Sequence, residues 1–537
     1  MLSLELEVPL TGYIGNRHVG TREDIMDYEK QVSRRSFLGL LGSGAVAFAA
    51  ASTGLNSFIG KASAAAPASA VPLPFPALQP VLAAKLITAG GFKADQLAAD
   101  GTAFKGGSYG IGGGFISYFD SEEADKGLLW INHTPAPGGN SAEGRGASVV
   151  SVKRTAGGGW KLDNDSKHAR RITPGTRVEL TGPARGTRSV NGASSVQGLW
   201  TNGTGGRTPW GTVLAGEQPN DTDAAAAGIN PASYGWLAEA DPADAGFQVR
   251  KHTALGRFTH GQAASALASD GRAVIYMSGG QVLYKFISSG RYNAADGTSN
   301  SSLLEKGTLY AANISGGEWI ELDIKAVRKV IANPAYRVPQ GVNRLREDLL
   351  SQLRGQADVL VYAQEAALVL GATRLDRAAG AAVHPADGSF FLAQTGSEDT
   401  GSSFGSILRL IEENGDAGSL RFEADPAAHG GRLAGFSSPS GIAFDESGKL
   451  WVASDMPASR IGAGAYAAFG SNSLQALPPG KESLGSAEAF AYAPEGSAFS
   501  LPAFGPGGTV FTAISQTEKG STGGSSLPSG LIAIRKG

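Results

Sequence analysis

Five polar residues of this chain follow or interrupt apolar runs at positions where strand ends are expected, and each has a side chain that could do chemistry. They are Asn132, His133, Glu217, His260 and Arg377. A carboxylate can bind Ca²⁺, a guanidinium can hold phosphate or carboxylate through two parallel hydrogen bonds, and an imidazole can bind metal or transfer a proton. Each also has a structural interpretation: a solvated or arginine-paired carboxylate, an ion pair with Asp376, a buried hydrogen-bonded imidazole, or an asparagine that bonds backbone in a turn.

Composition excludes several kinds of function. The chain has 46 basic and 48 acidic residues, scattered along its length, so neither nucleic acid nor an anionic membrane surface is an expected partner. It has no cysteine, which excludes disulfides, thiolate nucleophiles and thiolate metal ligands. The glycine run 112–114 favours a turn over a phosphate-binding loop.

The first 64 residues are typical of a twin-arginine export signal. Arg34 and Arg35 precede a weakly hydrophobic stretch, and residues 62–64 fit a small-residue cleavage site. A membrane anchor is the alternative, but glycine and serine interrupt the stretch, so no integral span is expected in the mature protein. We therefore expect a signal region at 1–64, a linker at 65–80, and export to the periplasm, cell envelope or medium.

A recurring hairpin pattern predicts the architecture. Each copy is a short apolar strand, a polar turn with glycine, and an aromatic or β-branched strand, and the copies occupy residues 266–277, 382–393, 443–453 and 503–513. A single hairpin cannot bury both faces, so regular recurrence indicates sheets stacked around a common axis. The sequence predicts an all-β β-propeller over residues 81–537. Helical spacing of leucines adds a small helical insertion at about 341–371.

Seven short motifs occur in a fixed order and together resemble one family. They are residues 128–133, 208–212, 254–260, 283–286, 307–310, 371–377 and 438–441. This ordered set resembles the PhoX-type secreted alkaline phosphatases from about residue 105 to the C-terminus. The resemblance implies a six-bladed propeller whose axial funnel holds calcium and iron and hydrolyses phosphomonoesters. It also implies that Arg377 touches substrate phosphate and that Glu217 is a metal ligand. Asn132 and His260 are further candidates for substrate binding.

The sequence departs from that family at its metal ligands. Where the family has carboxylates, cysteine or other ligands, this chain has Thr134, Gly203, Gln218, Gly261, Ser278, Ala379 and Ser440. A cation cluster with one or two carboxylates would bind weakly, because the lost ligands carried the charge that offsets cation desolvation. We therefore expect no iron and at most weak Ca²⁺ binding.

Three functions remain open from the sequence. The first is an altered, weakly active or inactive relative that binds a small anionic or sugar-like ligand in the funnel. The second is an active phosphatase with a reduced Ca²⁺ site, which would depend on Glu217 and Arg377. The third is a non-catalytic binding or structural propeller of the cell envelope. The sequence does not indicate an oligomeric state.

Overall fold

The computed structural model describes residues 75–123, 125–134, 142–397, 402–478, 484–516 and 529–537. The predicted signal region and residues 65–74 of the predicted linker lie outside these ranges. Within them the chain forms six sheets of four to six strands and one two-stranded ribbon.

The strands follow one another around the molecule, sheet by sheet. Four strands come first, and all but the second are short: β1 (Ile87–Thr88), β2 (Phe92–Ala99), β3 (Ala103–Phe104) and β4 (Gly107–Ser108). The first sheet contains β5 (Ile116–Asp120), β6 (Lys126–His133), β7 (Gly146–Arg154), β8 (Trp160–Leu162) and β9 (Arg170–Ile172). The second contains β10 (Arg177–Thr181), β11 (Ser195–Gln197), β12 (Thr201–Arg207), β13 (Val213–Glu217), β14 (Leu237–Ala240) and β15 (Arg250–His252).

The remaining four sheets use the rest of the chain. The third contains β16 (Ala263–Leu267), β17 (Arg272–Gly279), β18 (Val282–Arg291), β19 (Gly307–Asn313) and β20 (Glu318–Glu321), and the fourth β21 (Ala378–Val383), β22 (Phe390–Gln394), β23 (Ser406–Glu412) and β24 (Phe422–His429). The fifth contains β25 (Pro439–Phe444), β26 (Leu450–Ser454), β27 (Ser473–Leu477) and β28 (Glu488–Tyr492). The sixth contains β29 (Ser497–Phe499), β30 (Ala503–Gly505), β31 (Thr509–Gln516) and β32 (Gly530–Lys536).

The six sheets form a closed ring. Strand β12 contacts β6 and β16, β21 contacts β16 and β25, β26 contacts β29, and β30 contacts β5, so each sheet touches the next and the sixth touches the first. Clusters of buried apolar side chains fill the spaces between sheets, as where Tyr276 stacks on Phe390 at 4.6 Å between ring centroids. The prediction of an all-β propeller is confirmed, with six blades.

The two ends of the described chain complete the last two sheets. Strand β1 pairs with β28 at the outer edge of the fifth sheet, where Ile87 lies opposite Tyr492. Strand β2 pairs with β32 at the outer edge of the sixth, from Phe92 opposite Lys536 to Ala99 opposite Gly530. Two strands near the start of the described chain are therefore held by two strands near its end.

The four predicted hairpins are confirmed as β16–β17, β21–β22, β25–β26 and β30–β31. Their turns form for the expected reason. Asp445 Oδ1 accepts hydrogen bonds from the backbone N–H groups of Ser447 at 2.9 Å and Lys449 at 3.1 Å, and Gly448 has a φ of 79°. The polar turns thus fix the register of the strands that reach the axis.

Four helices lie between the third and fourth sheets, and a short one lies within the second. The short one is α1 (Asp221–Ala226), and the others are α2 (Ile324–Ala332), α3 (Arg346–Gln352), α4 (Gln356–Val361) and α5 (Ala363–Val369). Helix α2 was not predicted, although Asp323 caps it by accepting from Ala326 N–H at 2.9 Å. None of the helices in the described ranges has the length and apolar composition needed to cross a membrane.

Candidate functional site

A cavity of about 530 Å³ lies on the axis of the ring. Every sheet contributes to it through its innermost strand or the residue just before that strand: Phe115, Asn202, Gln262, Ala379, Ser440 and Ala498. The repeated hairpins place these residues, because each hairpin directs one strand toward the axis. We call this space the axial cavity.

Neutral polar groups dominate the wall of the axial cavity. The hydroxyl-bearing residues are Thr134, Thr204, Ser440, Ser500 and Ser515, and the amide-bearing residues are Asn202, Gln218, Gln262 and Gln516. Among the lining residues only Arg145 and Asp455 carry a full charge. Such a wall can hydrogen-bond a polar ligand but supplies little negative charge for cations.

Arg145 is the positively charged residue among those that line the axial cavity. Its side chain is buried, with 9% of the residue exposed, and burial lowers its pKa. One guanidinium nitrogen donates to the carbonyl of Thr201 at 3.1 Å, and the guanidinium lies 4.7 Å from the centroid of the Trp200 ring. Its buried Nε–H has no acceptor among the described residues. An unfilled donor on a buried cation suits an anionic oxygen, because charge-assisted hydrogen bonds are the strong ones.

Asp455 is the carboxylate of the described wall, and the positive charge of Arg377 acts on it. Asp455 follows β26 and lines the axial cavity; burial raises its pKa, and the positive charge of Arg377 opposes that rise. Arg377 is exposed, directly precedes β21, and has a φ of 57°, a left-handed conformation that non-glycine residues rarely adopt. Arg377 therefore lies close enough to Asp455 to interact, but it is not one of the residues that line the cavity.

Glu217, the predicted metal ligand, has its carboxylate occupied by protein donors. It is fully buried at the end of β13 and accepts from the backbone N–H groups of Trp200 at 2.7 Å, Gly235 at 3.1 Å and Trp236 at 3.2 Å. The buried Nζ of Lys251 lies 2.8 Å from it. The axial cavity is lined by its neighbour Gln218 and not by Glu217.

Asn132 and His133 are held inside the first sheet. The Asn132 amide donates to the carbonyl of Thr204, and its oxygen accepts from Trp130 Nε1 at 2.7 Å. The His133 ring lies 2.7 Å from both the Gly112 carbonyl and Ser148 Oγ, and burial lowers its pKa to about 3. Both side chains join neighbouring segments and neither lines the axial cavity.

The backbone carbonyl of His260, and not its ring, contacts residues that line the axial cavity. Its carbonyl accepts from Asn202 Nδ2 at 2.6 Å and Thr204 Oγ1 at 2.9 Å, both of which line the axial cavity. Its ring is buried, with the centroid 3.9 Å from that of Phe258, and burial lowers its pKa to about 3. The structure thus brings Arg377 near the axis and places the side chains of Asn132, His133, Glu217 and His260 in the surrounding framework.

Gly203 and Gly261, which stand at predicted replaced ligand positions, have no room for a side chain, and neither has Gly216 beside Glu217. A Cβ at Gly203, whose φ is 79°, would lie 2.8 Å from Thr134 Oγ1. A Cβ at Gly261 would collide with Ser278 Oγ, and one at Gly216 with Thr204 Oγ1. Ser278 Oγ instead donates to the carbonyl of Ala379 at 2.6 Å. The chain has repacked these positions with small residues and hydroxyls.

The loop before β5 is tied to Asp100. Gly112 N–H donates to Asp100 Oδ1 at 3.1 Å, and the next residues, Gly113 and Gly114, line the axial cavity. Burial raises the pKa of Asp100 from 3.8 to about 6. The stability linked to this group is therefore fully present below about pH 3.8 and is lost as pH rises through about 6.

Asp100→Asn should therefore stabilise the protein at neutral and higher pH. Asparagine keeps an acceptor for Gly112 N–H without a carboxylate to desolvate. After allowance for solvent screening we expect a gain of about 1 kcal/mol in the free energy of unfolding at about pH 8, and none at about pH 3.5. Urea unfolding at the two pH values measures this, and equal gains at both would show that ionisation is not the cause.

Comparisons with known proteins identify the family. The sequence profile described as "Alkaline phosphatase PhoX" matches residues 73–518. The chain belongs to the PhoX family. A solved structure of Pseudomonas fluorescens PhoX, in complex with vanadate, a transition state analogue, is similar to this PhoX-family chain: the identity is 26% over 86% of this chain and 98% of that chain, and the TM-score is 0.72.

Other comparisons are weaker. The PQQ-bound aldose sugar dehydrogenase of Streptomyces coelicolor shares 13% identity over 84% of this chain and 99% of its own, with a TM-score of 0.34. A search of curated proteins returns no match. The family assignment thus depends on the PhoX profile and the Pseudomonas structure.

The described residues do not fit the calcium and iron that the PhoX family implies. In the ranges that the structure describes, no group of three or more histidine, aspartate or glutamate side chains is arranged to hold a metal ion. The axial cavity offers Asp455 as its carboxylate, and Arg377 interacts with it. Multiple oxygen ligands with net negative charge are what hard cations require. The described wall is instead suited to an anion or a neutral polar ligand.

Sequence reasoning missed Arg145. The signal was present, because a valine-rich run at residues 149–152 follows it almost directly. Arg145 directly precedes β7, a buried strand of the first sheet. Its contact with Trp200 was not predictable, because it joins two different sheets.

Proposed function

We propose that this protein is an exported PhoX-family protein that binds a small anion in its axial cavity and has weak or no phosphomonoesterase activity. The observation that carries the proposal is Arg145, a buried cavity-lining cation whose Nε–H lacks an acceptor among the described residues. We propose export through the twin-arginine route to the periplasm, envelope or medium, on the sequence pattern around Arg34 and Arg35. Metal binding is proposed to be absent or limited to weak Ca²⁺.

Charge and relatedness both support an anion. Arg145 lines the axial cavity and Arg377 acts on the lining carboxylate of Asp455, while the carboxylate of Asp223 acts on Arg145 from outside the cavity wall. The Pseudomonas relative was solved with vanadate, which is an anion. Serine, threonine and amide donors around the cavity can complete the hydrogen bonding of anionic oxygens.

The missing carboxylates support weak or absent catalysis. Phosphoryl transfer in metal-dependent phosphatases needs cations to stabilise the transferring group, commonly by several kcal/mol. Gly203, Gly261 and Gly216 leave no space for ligand side chains without rearrangement. With Asp455 alone, the described wall cannot hold such a cluster.

Calorimetric titration with inorganic phosphate tests the proposal. Arg145→Ala should weaken phosphate binding about 10- to 100-fold, because a charge-assisted hydrogen bond contributes about 1.5–3 kcal/mol. Arg145→Lys should recover part of the loss, since it restores charge without the planar fork. Arg377→Ala should have a smaller effect, and Arg185→Ala, at an exposed surface ion pair, should have none.

Metal analysis and a phosphomonoesterase assay on the same wild-type sample, with and without added Ca²⁺, complete the test. We expect no stoichiometric iron and little turnover. Iron with several calcium ions, or turnover that Arg377→Ala abolishes, would establish an active phosphatase instead. Unchanged phosphate affinity in Arg145→Ala would refute the assigned anion site.

A further inference from the structure

The carboxylate of Asp455 contacts the axial cavity without receiving a hydrogen bond from the described protein. Asp455 follows β26, is half-buried and is the acidic residue among the described lining residues. Its backbone N–H donates to the Ser438 carbonyl at 2.9 Å, but no group in the described ranges donates to its side chain. Arg377 acts on it through charge and not through a hydrogen bond.

The buried carboxylates elsewhere in the described chain differ from Asp455, because each accepts hydrogen bonds from protein donors. Glu239 accepts from Trp210 Nε1 at 2.7 Å, and Glu412 accepts from the Tyr276 hydroxyl at 2.7 Å. The full set is Asp163, Glu217, Glu239, Asp241, Asp358 and Glu412. Burial raises the pKa of Asp455, so its carboxylate has lost much of its hydration. A donor for Asp455 must therefore come from the contents of the cavity.

Arg145 makes the opposite demand on the same cavity. Its buried Nε–H has no acceptor among the described residues, and the buried Thr134 Oγ1 in the same wall has no described partner. One ligand meets these needs if it carries an anionic oxygen for Arg145 and hydroxyl groups for Asp455 and Thr134. A volume of about 530 Å³ accommodates an organic molecule of this kind.

We propose that the axial cavity binds a hydroxylated organic anion, and that Asp455 selects it by accepting a hydrogen bond from a ligand hydroxyl. This inference rests on the anion-binding function proposed above. An organic anion without hydroxyls would satisfy Arg145 but would leave the carboxylate of Asp455 without a donor. An ammonium donor is disfavoured because the positive charge of Arg377 already acts on Asp455.

Calorimetric titration of the whole mature protein with three six-carbon carboxylates tests this inference. Gluconate carries hydroxyls, hexanoate carries none, and 6-aminohexanoate carries an ammonium group. The wild type should bind gluconate at least about tenfold more tightly than either of the others, because a hydrogen bond to a charged group is a strong one. Asp455→Ala should reduce the preference for gluconate over hexanoate about tenfold. It should also strengthen hexanoate binding, since it removes a like charge from the wall.

Asp223→Ala is the matched control, because it removes a carboxylate that acts on Arg145 from outside the axial cavity. It should strengthen gluconate and hexanoate binding alike and leave the preference unchanged. Asp455→Ala should fold, since the Asp455 side chain has no hydrogen-bond partner in the described chain. Asp455→Asn is the second variant: it keeps the side-chain volume, loses the charge, and should reduce the preference about threefold.

The results distinguish this inference from the proposed anion site. Equal affinity for gluconate and hexanoate, tighter binding of 6-aminohexanoate, or a preference that survives both substitutions of Asp455 would each overturn it. If any of these occurs while Arg145→Ala still weakens phosphate binding, the anion site stands without selection for hydroxyls. If Arg145→Ala binds phosphate as the wild type does, the anion site itself fails.

Discussion

Glu217→Gln is expected to lower the free energy of unfolding by about 3–5 kcal/mol, the usual cost of breaking a buried ion pair by removing one partner. The substitution leaves Lys251 buried without its counter-charge. It also turns an amide NH₂ toward either the Trp200 N–H or the paired N–H groups of Gly235 and Trp236. A buried donor facing a donor adds to the loss. Urea unfolding at neutral pH measures the effect.

A matched substitution and a calcium titration make that result decisive. Glu305→Gln removes a carboxylate from a partly exposed ion pair with Arg250, at 3.6 Å, and should cost less than about 1 kcal/mol. Added Ca²⁺ should shift the melting temperature of the wild type and of Glu217→Gln by the same amount. A calcium-dependent shift that disappears only in Glu217→Gln would restore the metal-ligand interpretation.

Acid should destabilise the protein strongly through His133 and His260. Both rings are buried, and burial lowers the pKa of each from 6.5 to about 3. Between about pH 6.5 and pH 3 each imidazole is therefore protonated in the unfolded chain but neutral in the folded protein. The stability linked to each ring is present above about pH 6.5 and is lost as pH falls toward 3. Each contributes a slope of about 1.4 kcal/mol per pH unit in that range.

His260→Gln isolates one of the two contributions. Glutamine has a side-chain donor for the Gly256 carbonyl, which lies 3.2 Å from His260 Nε2, and it does not titrate. Between about pH 8 and pH 5 the wild type should lose about 2 kcal/mol more stability than this variant. His429→Gln, at an exposed position, should follow the wild type. Parallel pH curves for His260→Gln and wild type would contradict the assignment.

Local patterns predicted the fold because propeller hairpins are local. Residues 443–453 combine an apolar strand, an aspartate-led turn and an aromatic strand, and all three act within a few residues of one another. Helix α5 was predicted for the same reason, whereas α2 was missed although Val327 and Ile331 form a buried apolar face at helical spacing. The pairing of β2 with β32 joins opposite ends of the described chain, and no local pattern encodes it.

The candidate site was less predictable because side-chain direction depends on contacts between different strands and loops, which no local pattern encodes. Glu217 and Gln218 are adjacent at a strand end, yet only Gln218 lines the axial cavity. The Glu217 carboxylate instead contacts Lys251 and accepts hydrogen bonds from three backbone N–H groups, all of which belong to other segments of the chain. The replacement of ligand residues could be predicted from the sequence. The lack of space for a side chain at Gly203 could not, because it depends on Thr134, which lies beside Gly203 only in the folded chain. The roles of Asn132, His260 and Arg377 in binding stay predictions.

The pairing of β2 with β32 imposes an order on biosynthesis. Strand β2 is near the start of the described chain, and its only sheet partner there is formed by residues 530–536. During translation β2 must remain unpaired until those residues have been synthesised and have left the ribosome. Loop-closure entropy then makes this long-range pairing slow compared with the hairpins. A sheet completed last is also the sheet that a truncated nascent product never completes.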